Sequence, residues 1–217
     1  MYSNDLESRQ CVVDTLQALS NKNLNKGAAG NVSARTEAGM LITPTGIVPQ
    51  AVTPQQIVHM SLAGEADANQ LLPSSEWKMH ADVYLGRPEL AAVVHCHSPY
   101  ATILACARKP IPAMHYMVAG AGGQGIGLAD YATFGSEALS QANLKALADT
   151  RACLLANHGQ LALGCDLTDA LALAELVEEL AHCYWGTLAI GGPVILDQQQ
   201  MDEVCAAFTD YGQQETS

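Results

Sequence analysis

Two short apolar runs, each closing on histidine, constrain this chain more than anything else in it: LAAVVHCH at 90–97 and ACLLANHG at 152–159. Runs of this length, without polar alternation, read as strands buried in a core. In a strand, residues i and i+2 point to one face, so His95 and His97 share a face and Cys96 points to the other. Two imidazoles so placed can share one ion. If the second strand lies beside the first, His158, followed by Gly159, can close a three-histidine set. Three protein nitrogens leave a fourth position open, which is the pattern of a catalytic metal site and not of a closed structural one. Against this stands the ordinary reading of a histidine beside a core strand, a hydrogen-bonded core residue, and for His158 taken alone that reading is the stronger. His59, His80, His115 and His182 have no comparable pairing and are read as non-ligands, with His80 and His182 on helix faces.

Around these runs the chain alternates between helical and extended patterns. Residues 4–21 carry Leu6, Val12, Val13, Leu16 and Leu19 at helical spacing. GNVSAR and MLITPTG read as two strands of a hairpin turning through Glu37 and Gly39. Thr53-Pro54 opens a short helix or turn, and SLAGEADANQL is read as another strand and turn. Ser74 to Gly86 reads as a helix broken by Arg87-Pro88, Pro99 to Ala107 as a second, and GAGGQGIG as a loop or tight turn. Further helices are expected over Ser136–Leu147, from Thr168 as cap to about Ile190, and over Asp197–Phe208, with LALGCD as a strand between. The strands are short and do not alternate regularly with the helices. The expected fold is therefore α/β: a single α/β/α domain over 1–217, with a central, largely antiparallel sheet flanked by helices.

Length and composition suit one core: 217 residues, 49% hydrophobic and 15% charged. Seven cysteines sit singly, with no C-x-x-C pair, as expected of a reduced, cytoplasmic protein. No signal peptide and no apolar run long enough to span a membrane is read in the chain, so no membrane partner is expected. The formal net charge is −12 with only ten Lys and Arg, which argues against a nucleic-acid partner. An anionic ligand would have to be held locally, by backbone N–H groups and helix N-termini.

Glu76 follows Ser74 and Ser75 at the head of a helix. It is a candidate for the fourth metal position. Spacing alone favours the simpler reading, a first-turn or capping-box glutamate held by the helix dipole.

The stretches GNVSAR, LITPTGI, PSSEW, AVVHCHSPYATILA, IPAMHYMVAGAGG, DYATFGS and NHG, with the helix from Thr168 onward, occur in this order over about residues 27–212. Taken together they resemble the class II aldolase and adducin family. The resemblance implies a metal-dependent lyase, cleaving a ketose 1-phosphate of the L-fuculose 1-phosphate kind into dihydroxyacetone phosphate and an aldehyde such as lactaldehyde. It implies one Zn²⁺ per subunit, with other divalent metals possible, on His95, His97, His158 and Glu76. Glu76 would also be the catalytic acid/base. The substrate phosphate site falls on Gly30, Asn31, Thr45, Gly46, Ser74 and Ser75, although each turn alone reads as ordinary loop chemistry. Tyr116 matches a catalytic tyrosine that reaches a neighbouring subunit's site, and Phe134 and Tyr211 match positions around the aldehyde pocket. The implied assembly is a homotetramer with shared active sites.

Other members of the family are a 5-deoxyribulose 1-phosphate aldolase, a 3-oxo-tetronate 4-phosphate decarboxylase and ribulose-phosphate 4-epimerases. The epimerases carry aspartate where Glu76 stands, which favours aldolase. Adducin-like members keep the fold as a protein-interaction module without the metal histidines. All three histidines and the glutamate are present here.

Overall fold

The computed structural model describes residues 1–148 and 150–209. Helix α1 (Leu6–Asn21) opens the chain, and its N-cap Asp5 accepts a hydrogen bond from the Ser8 N–H at 2.8 Å. Strands β1 (Asn31–Thr36) and β2 (Gly39–Ile42) form the expected hairpin, and β3 (Val58–Met60) pairs with β2. Then come α2 (Trp77–Gly86), β4 (Ala92–Cys96), α3 (Pro99–Cys106), β5 (Ile111–Pro112) and a 3-10 helix over Tyr116–Ala121. The rest is β6 (Gly125–Ala129), α4 (Glu137–Leu147), β7 (Ala152–Leu155), β8 (Gly159–Gly164), α5 (Leu167–Ala189) and α6 (Gln198–Thr209).

The eight strands form one sheet in the order β3-β2-β1-β4-β8-β7-β6-β5. Among the described residues every ladder is antiparallel except β6 with β7. β4 and β8 sit side by side at the centre and are buried along their whole length. That is why their sequences run apolar without alternation.

Each face of the sheet carries its own helical layer. On one face α1, α3 and α5 pack with Val94 and Cys96 of β4, so Cys96 does point away from its two histidine neighbours. Val12, Val13, Leu16 and Leu19 of α1 are buried there, each contributing about 1.5–3 kcal/mol relative to exposure. On the other face α2 and α4 cover Val93 and Leu161 with Met79, Val83, Leu139 and Leu147. The layered α/β/α architecture with a largely antiparallel sheet is as expected. No helix among the described residues is long and apolar enough to cross a membrane.

Four local expectations are corrected. SLAGEADANQL is mostly turn; the strand lies just before it at Val58–Met60, where the alternate apolar residues Val58 and Met60 are buried. GAGGQGIG is not all loop, since its end enters β6. A Cβ on Gly127 would lie 2.4 Å from the Ala146 carbonyl oxygen, so the missing side chain is what lets α4 rest directly on the strand. The cap of α5 is Asp166, whose carboxylate accepts from the Asp169 N–H at 2.8 Å, and not Thr168. Finally, β7 ends at Leu155, so His158 stands in the turn before β8 and not at a strand end.

Candidate active site

β4 lies between β1 and β8, with His95 opposite Asn31 on one side and Leu161 on the other. The two apolar runs are not neighbours as expected, because β8 lies between β4 and β7; the β7–β8 turn is what carries His158 to the pair on β4. The three imidazoles are related almost as three blades about an axis. Their ring centroids are 4.9, 4.8 and 4.9 Å apart and their planes cross at 72°, 68° and 71°. One ligand atom from each lies within 4.8 Å of the others, and the Nε2 atoms of His95 and His97 are 3.0 Å apart.

The surroundings present these nitrogens as lone pairs. His95 is fully buried, and its Nδ1–H donates to the Gln160 carbonyl at 2.8 Å, which leaves Nε2 unprotonated and aimed inward. The His97 backbone N–H donates to Asn25 Oδ1 at 2.8 Å, fixing the chain just past the strand. Burial pushes the pKa of His95 well below its ordinary value, and the neighbouring imidazoles of His158 and His97 push it further. Burial, then His158, lowers that of His97 as well. Neutral imidazoles are what a metal requires.

Glu76 completes the constellation. It occupies the N-cap position of α2, but its side chain makes no capping bond, so the capping-box reading does not hold. Ser74 Oγ instead accepts the Glu76 N–H at 3.3 Å, and the carboxylate turns inward. Its Oε2 lies 3.4 Å from His95 Nε2 and its Oε1 3.5 Å from His158 Nε2. Oε1 is buried and has no hydrogen-bond partner among the described residues. A buried carboxylate oxygen left so costs several kcal/mol unless a cation faces it. Three imidazole rings and an orphaned carboxylate oxygen converging on one point fit a divalent metal.

Asn31 and His80 extend the site inward. Asn31 Nδ2 donates to Glu76 Oε2 at 2.9 Å, and Asn31 Oδ1 meets His80 Nε2 at 2.5 Å. His80 is on a helix face, as expected, but that face is fully buried. Burial, with His95 nearby, pushes its pKa down to about 3. Sequence reading set His80 aside; the signal for it was its place four residues after Glu76, one turn along the same helix face.

A cavity of about 350 Å³ opens from the histidines. Gly30, Asn31, Thr45, Gly46, Ser74 and Ser75 all line it, together with Glu76, His97 and His158, so residues 45 positions apart in sequence share one wall. Gly30 has φ +75°, and a Cβ on it would lie 2.0 Å from Asn25 Nδ2 and 2.7 Å from the His95 carbonyl oxygen. Glycine is therefore required for the first turn to approach β4 so closely. Phe134 also lines the cavity, 66% exposed. Tyr131 and Asn157 line it too, though sequence reading did not single them out.

Tyr116 is not brought to this cavity within the chain. It starts the 3-10 helix, 52% exposed, stacked on His115 and Phe208 beside Met117 and Val204. Tyr211 lies outside the described residues. His59 pairs with Asp67, His115 accepts the Met117 N–H, and His182 stacks on Tyr100, all apart from the triad.

Known proteins share this arrangement of chain. The family described as Class II Aldolase and Adducin N-terminal domain matches residues 10–185. A 5-methylthioribulose-1-phosphate/5-deoxyribulose-1-phosphate aldolase of Rhodospirillum rubrum is 46% identical over 212 residues, covering 98% of this chain and 96% of the relative. An L-fuculose phosphate aldolase of Escherichia coli strain CFT073 is 44% identical over 202 residues, covering 93% and 94%. A solved structure of an L-fuculose 1-phosphate aldolase superposes with a TM-score of 0.91 at 38% identity, covering 96% of this chain and 98% of that one. With a matched segment that takes in both histidine runs and Glu76, and relatives similar over nearly their whole length, the chain belongs to the class II aldolase and adducin family.

Proposed function

We propose that this protein, acting as one domain over 1–217, is a zinc-dependent aldolase. It would reversibly cleave a ketose 1-phosphate to dihydroxyacetone phosphate and a short aldehyde. The observation that carries the reading is the meeting of His95, His97, His158 and Glu76 at the floor of a cavity walled by the Gly30, Thr45–Gly46 and Ser74–Ser75 turns. An adducin-like interaction module has no use for such a centre.

Cleavage of the carbon–carbon bond leaves negative charge on the dihydroxyacetone phosphate fragment. The three imidazoles, with Glu76 in the resting site, would hold a zinc ion, whose Lewis acidity would offset that charge. Glu76 moves the proton to or from the fragment's carbon, which suits a carboxylate with one buried, unpartnered oxygen. The three turns hold the substrate phosphate. The Thr45 and Ser74 N–H groups already donate to the Leu72 and Thr43 carbonyls, so the Thr45 and Ser75 hydroxyls carry much of this role. The start of α2 adds its positive end. Asn31 has given one amide hydrogen to Glu76 and keeps one for the ligand.

Tyr116, remote from the cavity in its own chain, fits a role at a neighbouring subunit's site, donating a proton to the oxygen of the leaving aldehyde. That arrangement calls for a homotetramer. Phe134, with Tyr211, shapes the aldehyde pocket. A cytoplasmic location accords with cysteines that sit singly along the chain, with no C-x-x-C pair.

The relatives support two kinds of substrate, L-fuculose 1-phosphate and the pair 5-deoxyribulose and 5-methylthioribulose 1-phosphate. The test is release of dihydroxyacetone phosphate from a panel of these compounds, with a sugar-acid phosphate and ribulose 5-phosphate as controls. Cleavage of a ketose 1-phosphate is expected. Carbon dioxide release or epimerisation without cleavage would replace this reading with another activity of the family.

A further inference from the structure

We propose that His80 is a positioning residue for Glu76, acting through Asn31 to hold Oε2 as a hydrogen-bond acceptor and keep Oε1 turned toward His158. The catalytic use of that orientation rests on the aldolase reading; the hydrogen-bond chain stands on its own geometry.

Five side chains form the chain: Tyr84, Ser33, His80, Asn31 and Glu76, each at most 7% exposed. Their spacing explains how they meet. Glu76, His80 and Tyr84 follow one another by four along α2, and so lie on one helix face. Asn31 and Ser33 are two apart on β1, and so point to one sheet face. The two faces interlock.

The direction of every bond follows from the donors available. An ionised carboxylate has no hydrogen to give, so the end of Asn31 at 2.9 Å from Glu76 Oε2 is its NH₂ group. The amide oxygen then faces His80 Nε2 at 2.5 Å, so Nε2 carries the hydrogen. In a neutral imidazole Nδ1 is then an acceptor, and it takes the Ser33 hydroxyl hydrogen at 2.7 Å. Ser33 Oγ in turn accepts from the Tyr84 hydroxyl at 2.8 Å. The Tyr84 ring is anchored beneath the Arg35 guanidinium, 4.7 Å from its centroid. All four hydrogens point toward Glu76.

This order has a consequence at the carboxylate. Oε2 is held as an acceptor, so Oε1, the oxygen with no hydrogen-bond partner, is the one left facing His158. A flipped Asn31 would set its oxygen against Oε2, two acceptors in contact. His80 prevents the flip because its own orientation is fixed from behind by Ser33.

The test combines ¹⁵N NMR of the histidine side chains with two variants of the full chain, His80→Phe and His80→Gln. In the wild-type protein, metal-free and zinc-loaded alike, His80 is expected as the neutral tautomer with hydrogen on Nε2. A hydrogen on Nδ1, or an imidazolium at neutral pH, overturns the proposal whether or not the protein is an aldolase. His80→Phe is expected to lower kcat by about 10²-fold, the lower range for a displaced proton-transfer group, with KM and zinc per chain unchanged. His80→Gln keeps a donor toward Asn31 and should recover most of the rate. A loss that appears equally in both variants, or that follows zinc content, contradicts a positioning role. If no ketose phosphate is cleaved by the wild type, the aldolase reading fails while the tautomer still decides the chain.

Discussion

The histidine cavity and the Tyr116–Phe208 patch hold the two groups of side chains proposed for catalysis, and they are built in opposite ways. The cavity draws on β1, β4, α2 and the β7–β8 turn, and its polar groups are buried and bonded to one another. Backbone register at the centre of the sheet sets their positions. The patch draws on one 3-10 helix and α6, and Tyr116 is half exposed over an apolar hollow. Among the described residues, nothing carries Tyr116 to the histidine cavity. A charge-bearing centre needs its donors fixed before the substrate arrives, whereas Tyr116, in the role proposed for it, would be set in place by assembly.

Substitutions sharpen the contrast. The largest effect is expected for His95→Ala, which removes a ligand held at full burial. Bound metal, read by elemental analysis, should fall to near zero and cleavage with it, and retention of one ion per chain would break the picture of a single shared centre. Glu76→Gln comes next. The protein should keep its metal on the three imidazoles while kcat falls by about 10²–10⁴-fold, the range for losing a general acid/base, and exchange of the dihydroxyacetone phosphate carbon proton should stop. Tyr116→Phe should cost about 10²-fold in kcat with metal content untouched. If one chain's active site is intact and its neighbour supplies Tyr116, mixing inactive Glu76→Gln and Tyr116→Phe subunits should restore part of the activity. No restoration in mixed assemblies would place the patch outside catalysis.

Smaller changes follow. Thr45→Ala removes one charge-assisted hydrogen bond to phosphate, worth about 1.5–3 kcal/mol, so KM should rise by roughly tenfold or more with kcat preserved. An unchanged KM would remove Thr45 from the cradle. Phe134→Ala should leave stability within about 0.5 kcal/mol, as expected at an exposed position, and change which aldehyde is preferred in synthesis.

Much of the fold was legible because its strongest signals are local. The two apolar histidine runs read as strands, and they are β4 and β7, on either side of β8, with Ala156, Asn157 and His158 forming the turn from β7 into β8. What misled were positions where packing overrides composition. GAGGQGIG reads as loop, yet its glycines let α4 lie against β6. Thr168 reads as a cap, yet Asp166, nearer the strand, makes the bond. At the site, the grouping of His95 with His97 was legible from their i, i+2 spacing, while the approach of His158 depends on the β7–β8 turn and not on a strand. Glu76 was ambiguous because a capping glutamate and an inward one share the same sequence. His80 was passed over because its value depends on Asn31 and Ser33, which lie on another element 45 or more residues away. Such a chain is written in two periodicities at once, four on α2 and two on β1, and only the pairing of the elements brings them together.

The most direct test is to titrate zinc into metal-free protein while following bound metal and dihydroxyacetone phosphate release from L-fuculose 1-phosphate and 5-deoxyribulose 1-phosphate. Activity should rise in proportion to bound metal and level off at one ion per chain, and a His95, His97 and His158 triple alanine variant should take up none. Full turnover in the metal-free protein, or one tightly bound ion in the triple variant, would contradict the account.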